Sequence, residues 1–432
     1  MSEKKRNIVL ITLDSVRADH CSFMGYHRKT TPTIDKMVRK GLYFENAIAS
    51  GVATPTSMFG VHTGTYSLSS YAVDKLYGNE WRKEIQSKKT LAQVLRRVGY
   101  YTGAIHANPA ASSFFGFNKG FDYFQDFLKE NKSRSKNTIA KLLARTRFHT
   151  FLENMKAIIN KELTSTDWRK YIPYIEDFRK EANKENKPYF LWILLLDTHI
   201  PYIAPKEARK WSSKSTAYLI YLNWKVRKNY LNAQKVAKLI NRAIDAYDDT
   251  ILYADRFIYE LWELLKDDDP IFIIHADHGE GFGEHGFLYH PPLLYEELIH
   301  VPLVIYNADV KGKIDKPVSL LSLAPTILEL TGEKDEFPSK SLLHYNKEWV
   351  ISQVIEDERM KIAVRMKDWK FIKGQKDKDE LYYLKKDPHE QENILDNHPD
   401  LVGEMRKIVE LHVKQERERE RIRKGISRLR GI

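Results

Sequence analysis

The stretch Asn7-Ile-Val-Leu-Ile-Thr-Leu13, followed by Asp14, decides the fold class of this chain. It is nearly all apolar, as expected for a strand covered on both faces of a parallel sheet. Similar runs occur at residues 101–105, 189–196, 271–275 and 301–306. Segments of helical period lie between them, at residues 90–98, 233–265 and 320–330. This alternation predicts an α/β fold with a mostly parallel central sheet flanked by helices.

The pattern of apolar and polar residues changes after about residue 335. Short strand-like segments at residues 349–355, 361–366 and 380–384 are separated by turns, and a polar segment of helical period covers residues 399–425. We therefore predict two parts. Residues 1–335 form a catalytic α/β domain, and residues 336–432 form a small antiparallel subdomain with a helical tail.

Length and composition exclude several classes of protein. The chain has 432 residues, of which 42% are hydrophobic and 30% charged, with a single cysteine. These values do not fit a disordered or disulfide-built chain, and no apolar run approaches the roughly 20 residues of a membrane helix. The first apolar run is too short for the core of an export signal, so we expect a cytoplasmic protein.

The net charge of +12 is concentrated in two segments. One is a basic insertion at about residues 128–180, predicted to be helical, and the other is the tail from Glu404 onwards. Such an excess favours an anionic partner, although a solvated surface explains each segment equally simply. Aromatic residues are sparse there, so no specific nucleic acid is expected, whereas peripheral contact with a membrane surface stays open.

Three predicted strands end at or near an aspartate, namely Asp14, Asp197 and Asp277, and His278 follows the last. Ligand sites in open α/β sheets lie beyond the carboxyl ends of the strands. Converging carboxylates repel each other unless a cation lies among them, so this pattern predicts a metal site. Singly, each aspartate would be read as a cap or turn residue.

A nucleophile for that site is predicted at Thr54. Thr54 and Pro55 open a predicted helix that ends near Gly64, so Thr54 is also a good helix N-cap. A hydroxyl at a helix N-terminus lies beside exposed N–H groups that stabilise anions, and a metal ion lowers its pKa.

Six motifs in order resemble the sulfatase family of the alkaline phosphatase superfamily. They are Ile11-Thr-Leu-Asp-Ser-Val-Arg-Ala-Asp-His20, the segment from Thr54 to Gly64, the paired segments Gly99-Tyr-Tyr-Thr-Gly103 and Gly116-Phe-Asn-Lys-Gly-Phe-Asp122, Asp197-Thr-His-Ile-Pro-Tyr202, Asp277-His-Gly-Glu-Gly-Phe-Gly-Glu-His-Gly286, and Tyr382-Tyr-Leu-Lys-Lys-Asp-Pro-His-Glu-Gln-Glu-Asn393. The resemblance covers nearly the whole chain and implies a metal-dependent ester hydrolase.

The chain departs from the family pattern at the nucleophile. Sulfatases convert a Cys or Ser into formylglycine, but Thr54 stands there, and its oxidation would give a ketone. Ser15 replaces a second acidic ligand, and His278 stands where many sulfatases have Asn. The resemblance then implies the metal ligands Asp14, Thr54, Asp277 and His278. This set suits one divalent ion, with Mn²⁺, Zn²⁺ or Fe favoured and Ca²⁺ or Mg²⁺ as alternatives.

The remaining site residues also follow from the resemblance. His199 and His290 are predicted to act on the leaving group, whereas Asn108, His285 and Arg17 are predicted to bind substrate. The expected substrate is an anionic ester, such as a phosphorylated or sulfated small molecule, a lipid headgroup or a glycan. A plain threonine nucleophile favours hydrolysis or transfer of a phosphate ester or diester. The alternatives are a true sulfuric ester hydrolase without formylglycine and a non-catalytic protein that binds anionic esters.

Overall fold

The structure is a computed structural model and describes residues 5–69, 79–127, 167–229, 232–334, 337–344, 346–356, 359–375 and 378–429. Most of the predicted basic insertion, residues 128–166, therefore lies outside the described residues. The strands are β1 (Ile8–Leu13), β2 (Leu42–Ile48), β3 (Tyr101–His106), β4 (Tyr123–Gln125), β5 (Tyr189–Leu195), β6 (Ile271–Ala276), β7 (Gly281–Phe282), β8 (Leu288–Tyr289), β9 (His300–Val301), β10 (Leu303–Tyr306), β11 (Gly312–Ser319), β12 (Trp349–Glu356), β13 (Arg359–Met366), β14 (Trp369–Gln375) and β15 (Lys378–Tyr383).

The described α-helices are α1 (Pro32–Val38), α2 (Thr54–Thr63), α3 (Asn79–Gln86), α4 (Leu91–Arg97), α5 (Ile172–Lys184), α6 (Thr216–Arg227), α7 (Ala237–Leu265), α8 (Glu296–Ile299), α9 (Leu323–Leu330) and α10 (Pro399–Leu429). Five of them, α2, α4, α7, α9 and α10, lie within a few residues of segments predicted to be helical, and the others were not individually predicted. Thr90 begins α4 with a capping box, in which its side chain accepts from the Gln93 amide. This capping box provides hydrogen-bond acceptors for backbone amides that have none within the first helical turn.

The central sheet has the order β11-β2-β10-β6-β1-β5-β3-β4, with β9 paired to β2. β1 lies between β5 and β6 and is parallel to both. Every residue of β1, β5 and β6 is buried, which explains their nearly continuous apolar sequences. The predicted mostly parallel sheet is therefore confirmed.

One predicted strand is wrong in its continuity and direction. Residues 301–306 were expected to form one strand of the parallel set, but they divide at Pro302 into β9 and β10. β10 runs antiparallel to β6 and to β2. Proline has no N–H to donate to a neighbouring strand, which accounts for the break.

The C-terminal part contains a separate antiparallel sheet in the order β12-β13-β14-β15, as predicted except that β14 was missed. Its outer face packs on α10 through Val402, Met405 and Val409. The predicted helical tail is thus confirmed, and Arg419 pairs with Glu416 on it, as its alternating charges suggest. The division near residue 335 stays a prediction. None of the described helices is both long and apolar enough to cross a membrane.

Candidate active site and metal centre

Asp14 and Asp277 meet because β1 and β6 are neighbours in register. Leu13 pairs with Ala276, so the next residue of each strand reaches the same edge of the sheet. Both aspartates are fully buried. The Ser15 amide donates to Asp277 Oδ1 at 3.1 Å, and Ser15 itself has a positive φ of 60°, which turns the chain sharply after Asp14.

Asp14, Asp277 and His278 form a cluster of the kind that holds a metal ion. Their ligand atoms all lie within 4.8 Å of one another. His278 Nε2 is 3.8 Å from Asp14 Oδ1 and 3.6 Å from Asp277 Oδ2, which is too far for hydrogen bonds. Burial and the neighbouring Asp277 carboxylate raise the pKa of Asp14 to about 8.

The donor atoms fit a divalent cation. Asp277 Oδ2 and His278 Nε2 are buried and have no hydrogen-bond partner in the described part of the chain. Buried polar atoms are almost always satisfied, so the two facing atoms require either protons or a cation. His278 Nδ1 is held by the Gly279 carbonyl at 2.9 Å, which directs Nε2 towards the aspartates.

Thr54 reaches this cluster from the beginning of α2. The residue is helical, and Ala53 occupies the N-cap position, so the prediction that Thr54 caps the helix is wrong. Its Oγ1 lies 3.5 Å from Asp14 Oδ2 and accepts from Asn108 Nδ2 at 3.3 Å. The hydroxyl therefore faces the metal ligands, beside first-turn amides that the helix itself leaves without acceptors.

Asn108 connects Thr54 to Asp14. Its Nδ2 also donates to Asp14 Oδ2 at 2.6 Å, and its Oδ1 accepts from the Ala110 amide at 2.8 Å. Both ends of the amide are thus fixed, so its orientation is defined. The structure brings Asn108 to the candidate site, and its contact with substrate stays a prediction.

His199 and His290 lie beside His278. The ring centroids of His290 and His278 are 4.4 Å apart, and those of His290 and His199 are 5.5 Å apart. His199 Nδ1 lies 2.9 Å from the Ile200 carbonyl. Both histidines predicted to act on the leaving group are therefore close to the metal ligands.

Glu280 is a site residue that the sequence reasoning missed. It is fully buried; its Oε1 lies 3.0 Å from His290 Nδ1, and its Oε2 accepts from the Tyr202 hydroxyl at 2.7 Å. Burial raises the pKa of Glu280 to about 7, and burial lowers that of His290 to about 3. The signal was present, because Glu280 belongs to the quoted motif that begins at Asp277.

Asp197 does not join the cluster, which corrects the expectation that three strand-end aspartates converge. It lies two residues beyond the end of β5, and a backbone hydrogen bond from Trp168 holds it. Burial and the Asp167 carboxylate raise its pKa. Among the described residues, only Asp14 and Asp277 supply carboxylates to this metal cluster.

Arg17 and His285 are held by other partners. Arg17 is buried and pairs with Asp19 at 2.7 Å and with Glu284. The His285 ring stacks on Tyr295 with centroids 3.5 Å apart, and its Nε2 is 3.7 Å from Glu297. Their predicted contacts with substrate stay predictions.

Cys21 has no route to a formylglycine role. It is fully buried in the loop after β1, and its thiol donates to the Arg17 carbonyl at 3.4 Å. That Thr54 occupies the nucleophile position stays a prediction.

Comparisons with known proteins identify the family of this chain. The sulfatase family model matches residues 6–333. An arylsulfatase of Clostridium perfringens is 24% identical over 94% of this chain and 94% of its own. An N-acetylgalactosamine-6-O-sulfatase of Bacteroides thetaiotaomicron is 22% identical over 95% and 93% of the two chains.

Solved structures show the same fold. A phosphonate monoester hydrolase of Agrobacterium radiobacter superposes with a TM-score of 0.69 at 16% identity, covering 95% of this chain and 96% of that one. A protein in complex with its substrate D-glucosamine-2-N,6-O-disulfate gives a TM-score of 0.67 at 17% identity, covering 96% and 99%. Because the family model covers well over half of its length, the chain belongs to the sulfatase family, the metal-dependent ester hydrolases of the alkaline phosphatase superfamily.

Proposed function

We propose that this protein cleaves a phosphate ester or diester, by hydrolysis or transfer, with Thr54 as the nucleophile. One observation carries the proposal. The Thr54 hydroxyl faces Asp14 and Asn108 at the beginning of a buried helix, next to the paired Asp277 and His278 donors. Thr54 is the first residue of the helix, after the N-cap Ala53, so its hydroxyl is available to the cluster.

A divalent cation held by Asp14, Asp277 and His278 would polarise the ester and lower the pKa of the Thr54 hydroxyl. One imidazole and two carboxylates favour Mn²⁺, Zn²⁺ or Fe over Ca²⁺, which prefers oxygen ligands alone. Asn108 holds the Thr54 oxygen in place through its hydrogen bond at 3.3 Å.

In the reaction, the Thr54 hydroxyl loses its proton to water, its oxygen attacks phosphorus and the bond to the leaving oxygen breaks. The leaving oxygen takes a proton from His290, whose ring lies 4.4 Å from that of His278, or from His199, whose ring lies 5.5 Å from that of His290. The product is a phosphothreonine, which water or an acceptor alcohol then resolves by a second displacement. Formylglycine enzymes resolve their intermediate by elimination, a route that a threonine lacks.

The Glu280 carboxylate orients His290 for that proton transfer. Because Nδ1 is engaged by Glu280 at 3.0 Å, Nε2 is the ring nitrogen that would exchange a proton with the leaving group or with water. The Tyr202 hydroxyl holds the other oxygen of Glu280, so the ring orientation is supported on both sides.

A second candidate is hydrolysis of a sulfate ester by the same residues. The names of the curated relatives support it, since an arylsulfatase and a carbohydrate O-sulfatase match nearly the full chain. The threonine at position 54 weighs against it, because a threonine cannot supply the hydrated aldehyde of formylglycine.

A substrate panel separates these candidates. Protein reconstituted in turn with Mn²⁺, Zn²⁺, Fe²⁺, Ca²⁺ and Mg²⁺ is given aryl phosphate, phosphodiester, phosphonate ester and aryl sulfate. We expect turnover of a phosphorus ester that falls roughly a thousandfold or more in Thr54→Ala. Thr56→Ala is the matched control, since Thr56 lies on the same helix and its hydroxyl donates to the Ala53 carbonyl.

Intact-mass analysis of the quenched reaction should show an adduct of about 80 Da on the peptide containing Thr54. High mass accuracy distinguishes a phosphoryl from a sulfuryl group. Turnover of aryl sulfate alone would favour the second candidate, hydrolysis of a sulfate ester, over the first. Equal inactivity of wild type and Thr54→Ala with every metal would refute the enzymatic proposal.

A further inference from the structure

A second group of metal-type ligands lies apart from the residues assigned to catalysis. It consists of His285, Glu297 and Glu390, whose ligand atoms all lie within 4.8 Å of one another. His285 comes from the loop between β7 and β8, Glu297 from α8, and Glu390 from the turn after β15. The group thus joins the catalytic fold to the C-terminal sheet.

The three side chains are almost inaccessible to solvent. The His285 side chain is 8% exposed and that of Glu297 is 4% exposed, and Glu390 is fully buried as a side chain. Stacking of His285 on Tyr295, with an angle of 2° between the rings, fixes the plane of the imidazole. Its Nε2 is directed at Glu297 Oε1 at 3.7 Å.

Glu297 Oε1 is the unusual atom of this group. It is buried and has no hydrogen-bond donor in the described part of the chain. An unsatisfied buried carboxylate oxygen is costly, so a native protein supplies a proton or a cation there.

The neighbouring basic side chains are already matched to other acids. Lys370 lies 2.8 Å from Glu390 and 3.1 Å from Glu296, and Arg365 lies 3.1 Å from Glu296. These two cations balance those two carboxylates. The ion-pair partner that the described structure gives Glu297 is His285.

Negative charge therefore accumulates around Glu297. Arg17, the next cation, is shared between Asp19 and Glu284. A divalent ion bound there would neutralise this charge.

The spacing matches that of the first metal centre. Donor atoms of a tetrahedral zinc site lie roughly 3.4 Å apart, given bond lengths of about 2.1 Å. The pair His285–Glu297 is separated by 3.7 Å, and the pairs around His278 by 3.6 and 3.8 Å. Both groups also combine imidazole with two carboxylates.

We propose that His285, Glu297 and Glu390 bind a second divalent cation, of the Zn²⁺ or Mn²⁺ type, which fastens the C-terminal sheet to the catalytic fold. The site is structural, because its ligands are buried and closed by neighbouring side chains. It is independent of the proposed reaction at Thr54.

Metal stoichiometry tests the proposal. Full-length protein is stripped of metal and titrated with ZnCl₂ by calorimetry, and bound zinc is measured after dialysis. We expect two equivalents in the wild type, one in Asp277→Asn, one in Glu297→Gln, and none in the double variant. Zn²⁺ should raise the Tm of Asp277→Asn and leave that of the double variant unchanged.

If Glu297→Gln fails to fold, His285→Gln removes a different ligand of the same site. Circular dichroism of the metal-free proteins checks that each variant is folded. Retention of the second equivalent in both Glu297→Gln and His285→Gln would overturn the site. So would an Asp277→Asn protein that binds no zinc, because Glu297 would then be satisfied by a proton.

Discussion

The buried side chain of His62 allows a quantitative test of how α2 packs in the core. The residue lies near the end of the helix that carries Thr54 and is 4% exposed. Its ring is 4.4 Å from that of Trp192 on β5, measured between centroids. Both ring nitrogens are buried without a hydrogen-bond partner among the described residues, and burial lowers the pKa of His62 to about 3.

The sign of the pH effect follows from this pKa. In the unfolded chain His62 takes up a proton below about pH 6.5, whereas in the folded protein it stays neutral until about pH 3. The free energy of unfolding therefore decreases as the pH falls from about 6.5 towards 3. pH 5 lies about 1.5 units below the pKa of His62 in the unfolded chain. Proton uptake by the unfolded chain therefore lowers the free energy of unfolding by about 2 kcal/mol at this pH.

Replacing His62 by Phe removes this contribution and keeps an aromatic ring against Trp192. We expect the stability of His62→Phe relative to the wild type to increase by about 2 kcal/mol between pH 8 and pH 5. Urea unfolding followed by tryptophan fluorescence at both pH values measures the difference. The control is His27→Phe, at an exposed histidine, measured at the same two pH values.

A relative stability of His62→Phe that is the same at pH 8 and pH 5, within about 0.5 kcal/mol, would refute the reasoning. It would mean that His62 is protonated in the folded protein. The packing of α2 on β5 would then differ from the arrangement described above.

Three further variants test other parts of the molecule. Gly103→Ala should destabilise the protein by about 1–3 kcal/mol, because the new Cβ would lie 2.3 Å from the Phe178 ring. Calorimetry measures the loss, and Gly403→Ala is the control because its new Cβ meets no atom within 4 Å. Lys370→Met should cost about 3–5 kcal/mol in urea unfolding at pH 7, since it leaves Glu296 and Glu390 without their shared cation; a loss below about 1 kcal/mol would show that these acids are already protonated. Glu280→Gln should lower kcat roughly tenfold or more with a smaller change in KM and unchanged zinc content, because it disturbs the orientation of His290; an unchanged kcat would exclude that role.

Strands buried on both faces could be predicted from the sequence. β1, β3, β5 and β6 are continuous apolar runs, and the structure reproduces their boundaries to within a residue or two. β2 and β11, which are neighbours in the sheet, were missed because both are only partly buried. β2 alternates buried and partly exposed positions along its first half, and β11, at the edge of the sheet, begins with exposed residues. Such partly exposed strands carry a weak apolar signal.

The candidate site was predictable where chemistry follows directly from a strand end. Asp14, Asp277 and His278 stand immediately after β1 and β6, so their residue types and positions indicate a metal site. The position of Asp197 and the partners of Glu280 were not predictable, although Glu280 itself lies in a recognised motif, because side-chain direction beyond a strand end depends on the loop and on what packs against it. Trp168 holds Asp197, and Tyr202 holds Glu280.

The sequence by itself determined the parallel sheet, the order of the acids along the chain and the absence of a usable cysteine at the nucleophile position. The tertiary structure decided which groups meet. β1 lies next to β6 in register, so Asp14 and Asp277 reach the same edge, and α2 begins where Thr54 faces them. The physical reason is that hydrogen-bonded register between distant strands fixes relative position to within about one residue, which local sequence preferences do not encode.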